Sequence, residues 1–196
     1  MIETADMLRV FAQYRGNSIV IPGRGGRHWV PLSDQPSRDL PLRDPAMGGH
    51  ASFAFGMALA LPQEKVVLFD SEGDIIMNMG ALTTIAEKAP ENFYHFLLDN
   101  ECYATTGGQA IPNATKTAYD VIAKGAGYRA AYAYDDLEEL SNDMERILSE
   151  PGPVLVAMKV YPEIESLPIN ARPAWVTRTR DKIIADVQQS VGVATR

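Results

Sequence analysis

Two regimes of apolar patterning alternate along the chain. Continuous apolar runs occupy residues 18–21 (SIVI), 66–69 (VVLF), 93–98 (FYHFLL) and 153–160 (PVLVAMKV). Each is short, rich in β-branched or aromatic residues and bounded by Gly, Pro or polar residues, so each predicts a buried strand. Residues 128–134 (YRAAYAY) predict a further strand. Between the runs the apolar residues fall at helical spacing. Met7, Leu8, Val10, Phe11 and Tyr14 mark a helix over 3–14. Ala51, Ala54, Phe55, Ala58 and Leu59 mark a second. Met79, Leu82, Ile85 and Ala86 mark a third, stopped by Pro90. A short helix is predicted near 119–124, and Leu137, Leu140, Met144, Ile147 and Leu148 form a long stripe. Continuous apolar strands alternating with amphipathic helices predict an α/β fold, three-layer αβα, with a mostly parallel sheet covered on both faces. Residues 22–49 are rich in Gly, Pro, Arg and Asp and read as a long loop, a length more often functional than idle. The pattern lapses from 162 to 180, and 181–191 predicts a last helix. Residues 1–196 therefore read as a single domain in which 162–196 is a less regular C-terminal extension.

Charge and cysteine content narrow the function. A net charge of −7 argues against non-specific binding to nucleic acid or anionic membranes. The single cysteine, Cys102, excludes an internal disulfide framework or an iron–sulfur cluster built by this chain alone. No run of about 18 apolar residues predicts a membrane span. The N-terminus is acidic where a signal peptide is basic, so a soluble, cytoplasmic setting is expected.

The strand ends carry the candidate chemistry. Asp70-Ser71-Glu72-Gly73-Asp74 follows one apolar run, and Asp99-Asn100-Glu101 follows another. In an open parallel sheet, ligands bind at the carboxyl ends of the strands. Carboxylate and amide oxygens there suit Mg²⁺ or Ca²⁺, and Mg²⁺ keeps few protein ligands and shares phosphate oxygens. Gly73 and a helix start near 75–78 offer N–H groups to that phosphate. The pattern alone points to a magnesium-bridged diphosphate site.

The stretch from Ser71-Glu72-Gly73 to Asp99-Asn100, with residues 74–98 between them, resembles the thiamine-diphosphate motif. That motif opens with Gly-Asp-Gly and closes with Asn-Asn. The segment 46–62 (AMGGHASFAFGMALALP) resembles the one preceding the motif in thiamine-diphosphate decarboxylases. Residues 73–109 resemble phosphonopyruvate and sulfopyruvate decarboxylases. The resemblance implies thiamine diphosphate and Mg²⁺ as cofactors. It implies metal ligands at Glu72, Asn100 and the Cys102 carbonyl, and cofactor contacts from Gly73, Asp74, Ile75 and Tyr103. Met47 stands at the bulky apolar residue that holds the cofactor bent, and the Pro45 carbonyl at the contact to its aminopyrimidine. Ser71 and Glu72 depart from the family's Gly and Asp. Asp74 adds a second negative charge near the phosphate.

The remaining candidates follow from position. Arg24 and Arg27 come after the first strand and are candidates for an anionic substrate group. Thr106 and Gln109 lie on a loop that could close over substrate. His50 is a candidate acid–base residue, competing with a packing role, and His95 reads as a satisfied core residue. Complete enzymes of this group carry a further domain that binds the pyrimidine and donates its activating Glu. The chain resembles the β subunit of an enzyme that splits the two domains. An α-type pyrimidine-binding partner, a 2-oxo acid substrate and self-association are therefore expected. The implied activity is 2-oxo acid decarboxylation. A carboligase subunit related to acetolactate synthase, or a non-catalytic module retaining the fold, are the alternatives.

Overall fold

The computed structural model describes residues 1–41 and 47–193. The chain runs α1 (Thr4–Tyr14), β1 (Ile19–Ile21), α2 (Gly26–Leu32), α3 (His50–Ala60), β2 (Val66–Ser71), α4 (Glu72–Met77), α5 (Ala81–Lys88) and β3 (Phe93–Asp99). It continues through a small hairpin, β4 (Cys102–Tyr103) and β5 (Gln109–Ala110), then α6 (Tyr119–Ala126), β6 (Ala130–Tyr134), α7 (Leu137–Ser149), β7 (Val154–Lys159) and α8 (Arg180–Ser190). Among the described residues, the main sheet has the order β1-β2-β3-β7-β6, and every neighbouring pair is parallel. The predicted α/β architecture is the observed one.

Both faces of the sheet are covered, which is why its strands lack alternation. One face carries α3, α5, α6 and α8, with Ala54, Leu82, Ile85, Ala123, Ile183 and Val187 buried against Leu68, Leu97 and Leu155. Alanines at 51, 54 and 58 let α3 approach the sheet closely. The other face carries α1, α2 and α7, which bury Leu8, Phe11, Trp29, Leu140 and Met144 against Val67, Phe69 and Phe96. Phe11 anchors an aromatic cluster there, edge-on to Phe69 at 5.0 Å and tilted against Trp29 at 5.3 Å, within the favoured range for such pairs.

The segment expected to be a plain loop, 22–49, differs from that expectation. It holds two 3₁₀ turns, Gly23–Gly25 and Pro36–Arg38, and α2 between them. Trp29 drives this local order. Its fully buried indole makes the helix worthwhile despite flanking glycines and Pro31 inside it. Arg15 then ties the returning chain down. Its guanidinium donates to Ser33 Oγ at 3.0 Å, to the Ser18 carbonyl at 3.1 Å and to buried Asp39 at 3.2 Å.

Strand and helix ends also shift. Asp70, Ser71 and Asp99 lie within their strands rather than after them, because the ladder continues through Asp70↔Leu97, Ser71↔Leu98 and Asp99↔Lys159. As a result α4 starts at Glu72, directly off the strand and earlier than the expected 75–78. Met79 falls in the turn before α5 rather than inside it. Apart from the 3₁₀ turn Ile169–Ala171, residues 160–179 form no helix or strand. No helix among the described residues is long and apolar enough to cross a membrane.

Candidate active site

β2 and β3 are neighbours, so the chain following each meets at the same edge of the sheet. Glu72 opens α4 there and is fully buried. Its Oε1 accepts a hydrogen bond from the Cys102 backbone N–H at 3.2 Å. Its Oε2 has no hydrogen-bond partner among the described residues. Asn100 Oδ1 accepts from the same Cys102 N–H at 3.0 Å and from the Cys102 thiol at 3.4 Å. Glu72, Asn100 and Cys102 are therefore brought together, thirty residues apart in sequence.

The electrostatics of this trio are those of a site lacking positive charge. Burial pushes the Glu72 carboxyl up to about 7, and Asp99 nearby pushes the same way, against backbone hydrogen bonds that pull it down. Burial, then Glu72 and Glu101, raise the Cys102 thiol, so it is protonated at neutral pH and is not a nucleophile. An ionised, fully buried carboxylate oxygen without a partner is costly. A divalent cation would satisfy it. The available donors, a carboxylate, an amide oxygen and a main-chain carbonyl, are the hard oxygens that Mg²⁺ prefers. The residues present fit a magnesium ion.

The neighbouring contacts give Ser71 and Asp74 their local roles. Ser71 caps α4, its Oγ accepting from the Asp74 N–H at 3.2 Å. Asp74 turns away from Glu72. Its Oδ2 meets His50 Nδ1 at 2.7 Å, and its Oδ1 accepts from the Gly48 N–H at 3.2 Å and from Arg24 at 3.5 Å. Burial acts to raise the Asp74 carboxyl, but the His50 hydrogen bond and charge, Gly48 and Arg24 outweigh it and hold it below the usual range. Asp74 thus serves as a tether between α4, the Gly48 turn and the loop after β1. Gly73 lies under the Tyr103 ring, where an added Cβ would be 3.1 Å from two ring carbons. Ile75 is buried in the core below.

The remaining candidates divide. Met47 is 77% exposed and so is not a core residue. Its turn is fixed by Gly48, whose φ of +79° favours glycine and whose added Cβ would come within 3.0 Å of Asn78 Cβ. Pro45 lies outside the described residues. Arg24 reaches the site through Asp74, whereas Arg27 pairs with Glu163. Thr106, in the turn after β4, and Gln109, at the start of β5, bond to each other on an exposed hairpin, the Thr106 hydroxyl donating to Gln109 Oε1 at 3.0 Å. His50 is buried against Asp74, as a positioning role requires. His95 is satisfied in the core, between Asp70 at 3.0 Å and the Tyr128 hydroxyl at 3.4 Å.

Sequence reasoning missed two features. Asp70 lies beneath the site with its two oxygens committed to the Ser71 N–H and to His95. The signal was present as polar residues inside otherwise apolar strands. The second is a cavity of about 370 Å³ where β3, β7 and β6 end, walled by Asp99, Tyr119, Tyr134 and Lys159. Asp99 holds Lys159 through Oδ2 at 2.8 Å, while its Oδ1 has no partner among the described residues.

Comparison with known proteins decides the family. Residues 45–158 match the model for the thiamine pyrophosphate enzyme, C-terminal TPP binding domain. The chain belongs to this family. The chain is 32% identical to a phosphonopyruvate decarboxylase of Streptomyces viridochromogenes over 162 residues, 81% of this chain and 39% of that protein. It is 39% identical to the sulfopyruvate decarboxylase subunit beta of Methanothermobacter thermautotrophicus over 135 residues, 67% of this chain and 69% of that one. It is 29% identical to the corresponding subunit of Methanococcus maripaludis over 174 residues, 87% and 91% of the two chains. The chain thus spans about two-fifths of the phosphonopyruvate decarboxylase it matches and most of the Methanococcus beta subunit. As a TPP-binding domain, its cofactor is thiamine diphosphate. The matched region contains both strand ends and the Glu72–Asn100–Cys102 trio.

Asn100 supplies a first test of the trio. Asn100→Ala is expected to weaken thiamine diphosphate binding about tenfold in Mg²⁺, the size of one lost ligand or charge-assisted bond. In a chelator neither the wild type nor the variant is expected to bind. Undiminished binding of the variant in Mg²⁺ would remove Asn100 from the metal's ligands.

Proposed function

We propose that this chain is the thiamine-diphosphate- and Mg²⁺-binding subunit of a heteromeric 2-oxo acid decarboxylase acting on sulfopyruvate- or phosphonopyruvate-like substrates. One observation carries the reading: the buried Glu72 oxygen that lacks a partner, facing a family-typical strand end beside Asn100 and Cys102. The names and lengths of the beta-subunit relatives support the substrate class and the divided architecture.

Each residue then has a task. Glu72, Asn100 and the Cys102 carbonyl hold the cation that anchors the diphosphate. Gly73 leaves room beside it, and Tyr103 covers the same spot. The Asp74–His50 pair fixes the Gly48 turn and so the position of Met47. When bound, thiamine diphosphate supplies an electron sink for the pair of electrons left as carbon dioxide departs. The chain supplies orientation and excludes water. Exposed Met47, Met77 and Met79 give the rim an apolar, deformable surface suited to a partner subunit and to self-association.

The direct test is carbon dioxide release from sulfopyruvate, phosphonopyruvate and pyruvate, with the product identified as aldehyde or as a carbon–carbon ligation product. Aldehyde from an anion-bearing 2-oxo acid is expected, and a ligation product would favour the carboligase instead. Met47→Ala is expected to lower turnover about tenfold, as misplacement of the cofactor does, with little change in cofactor affinity. Its exposure makes unfolding an unexpected outcome. An equal fall in affinity and turnover would contradict its role as a prop.

A further inference from the structure

The irregular arm after β7 crosses the carboxyl end of the sheet, over the loops that follow β1 and β3. On the β3 side, the Glu165 N–H donates to the Ala104 carbonyl at 2.8 Å, and Arg172 donates to the Thr105 carbonyl at 2.9 Å. Ile164 presses on Gly108, where an added Cβ would lie 2.7 Å from its terminal carbon. On the β1 side, the Trp175 ring covers Gly26, where an added Cβ would lie 2.3 Å away. Just before these anchors in the chain, Glu163 reaches α2. There Arg27 ion-pairs with one carboxylate oxygen, and His28 Nε2 lies 2.7 Å from the other.

We infer that Arg27 and His28 form a subsite for a phosphonate group of the substrate, and that Glu163 is the internal carboxylate which fills this subsite until such a group displaces it. The inference rests on the decarboxylase reading for its substrate class.

Three observations carry it. The donors are of the right kind: a planar guanidinium beside an imidazole makes a compact clamp for an oxyanion, and here it already holds one. The placement is right as well. Arg24, three residues before Arg27, reaches Asp74 two residues from Glu72, and Ala104 and Thr105 follow Tyr103 directly. The arm therefore joins the two loops that border the candidate metal site. Finally, the clamp can exchange. Arg27 is 49% exposed at its side chain, Glu163 30% and His28 26%. Ion pairs this open to water are weak, so an incoming group bearing more charge than a carboxylate can replace Glu163. In a chain of net charge −7, anion binding needs such a dedicated clamp.

The sequence reading placed Arg27 here but did not see His28, and it took the arm only as an extension. The arm's role is specificity. A group with a single negative charge competes poorly with the tethered Glu163, whereas a phosphonate competes well.

The test is a titration of the full chain with methylphosphonate, followed by the ring signals of His28, one of three histidines, and by the shift in thermal stability. Glu163→Gln is expected to bind the probe about tenfold more tightly than the wild type, the scale of one charge-assisted hydrogen bond released for use. The double variant Glu163→Gln, Arg27→Ala is expected to lose that gain, and the His28 signal should move on binding in the single variant. Equal binding by wild type and Glu163→Gln, a gain that survives removal of Arg27, or an unmoved His28 would each overturn the subsite. All three side chains are partly exposed, so these variants should fold. The measurement needs no turnover. A chain that binds methylphosphonate through these residues yet releases no carbon dioxide even with a pyrimidine-binding partner would leave the subsite standing and sink the decarboxylase reading.

Discussion

Glu72→Gln is expected to abolish magnesium-dependent thiamine diphosphate binding while making the cofactor-free chain more stable at pH 8. The two effects have one cause. In the folded chain the Glu72 carboxyl titrates near 7, against 4.5 for an ordinary glutamate, first because it is buried and then because Asp99 is close. Between pH 4.5 and 7 the folded state therefore binds more protons than the unfolded one, and stability falls as pH rises through that window. The full difference, about 2.5 pH units, corresponds to roughly 3 kcal/mol at pH 8. Gln has the same shape and no charge to desolvate, so the variant should recover most of that figure at pH 8 and none of it below pH 4. A bound cation reverses the preference. It must displace the proton, so its affinity should rise about tenfold per pH unit up to 7 and then level off. Gln offers a weaker ligand and should cost about a hundredfold or more in magnesium-linked affinity. Denaturant melts and cofactor titrations across pH 4 to 9 check both halves. A variant less stable than wild type at pH 8 would show that Oε2 has a partner and that the site is not short of positive charge.

The isolated chain is expected to be inactive, and a pyrimidine-binding partner should raise carbon dioxide release by at least a thousandfold, the usual scale of one essential acid–base group combined with exclusion of water. The acidic residues gathered at the strand ends each hold at least one partner, although Glu72 Oε2 and Asp99 Oδ1 have none among the described residues. Asp70 accepts from Ser71 and His95, Asp74 holds His50 and Gly48, and Asp99 holds Lys159. Glu72 faces Cys102. On the proposed function, the activating carboxylate for the pyrimidine comes from a pyrimidine-binding partner. Met47, Met77 and Met79, 77%, 47% and 37% exposed, offer that chain an apolar rim. Mixing experiments with a candidate partner, followed by turnover and by sedimentation, check this. Robust turnover by the chain alone would mean that one of its own carboxylates does the activating.

Much of this was legible in the sequence because the strands are buried on both faces. Residues 66–69 and 93–98 read as strands for that reason, and the oxygen-bearing residues after them marked the crevice. Glu72, Asn100 and Cys102 lie together in the structure, joined through the Cys102 N–H. What was not legible depended on contacts distant in sequence. α2 forms because Trp29 finds Phe11 and Phe69, a fact invisible in a segment full of Gly and Pro. The direction of Asp74 was set by His50, twenty-four residues earlier. The pairing of Arg27 with Glu163 spans 136 residues, and no periodicity could place the arm that makes it.

The central claim is that this chain binds thiamine diphosphate through a divalent cation held at Glu72 and Asn100. Calorimetric titration of the purified chain with thiamine diphosphate, in Mg²⁺ and again in excess chelator, tests it most directly. Saturable binding in Mg²⁺ that disappears in chelator, and disappears in Mg²⁺ for Glu72→Gln, is the predicted result. Binding of equal strength with and without the metal, or undiminished in Glu72→Gln, would contradict it.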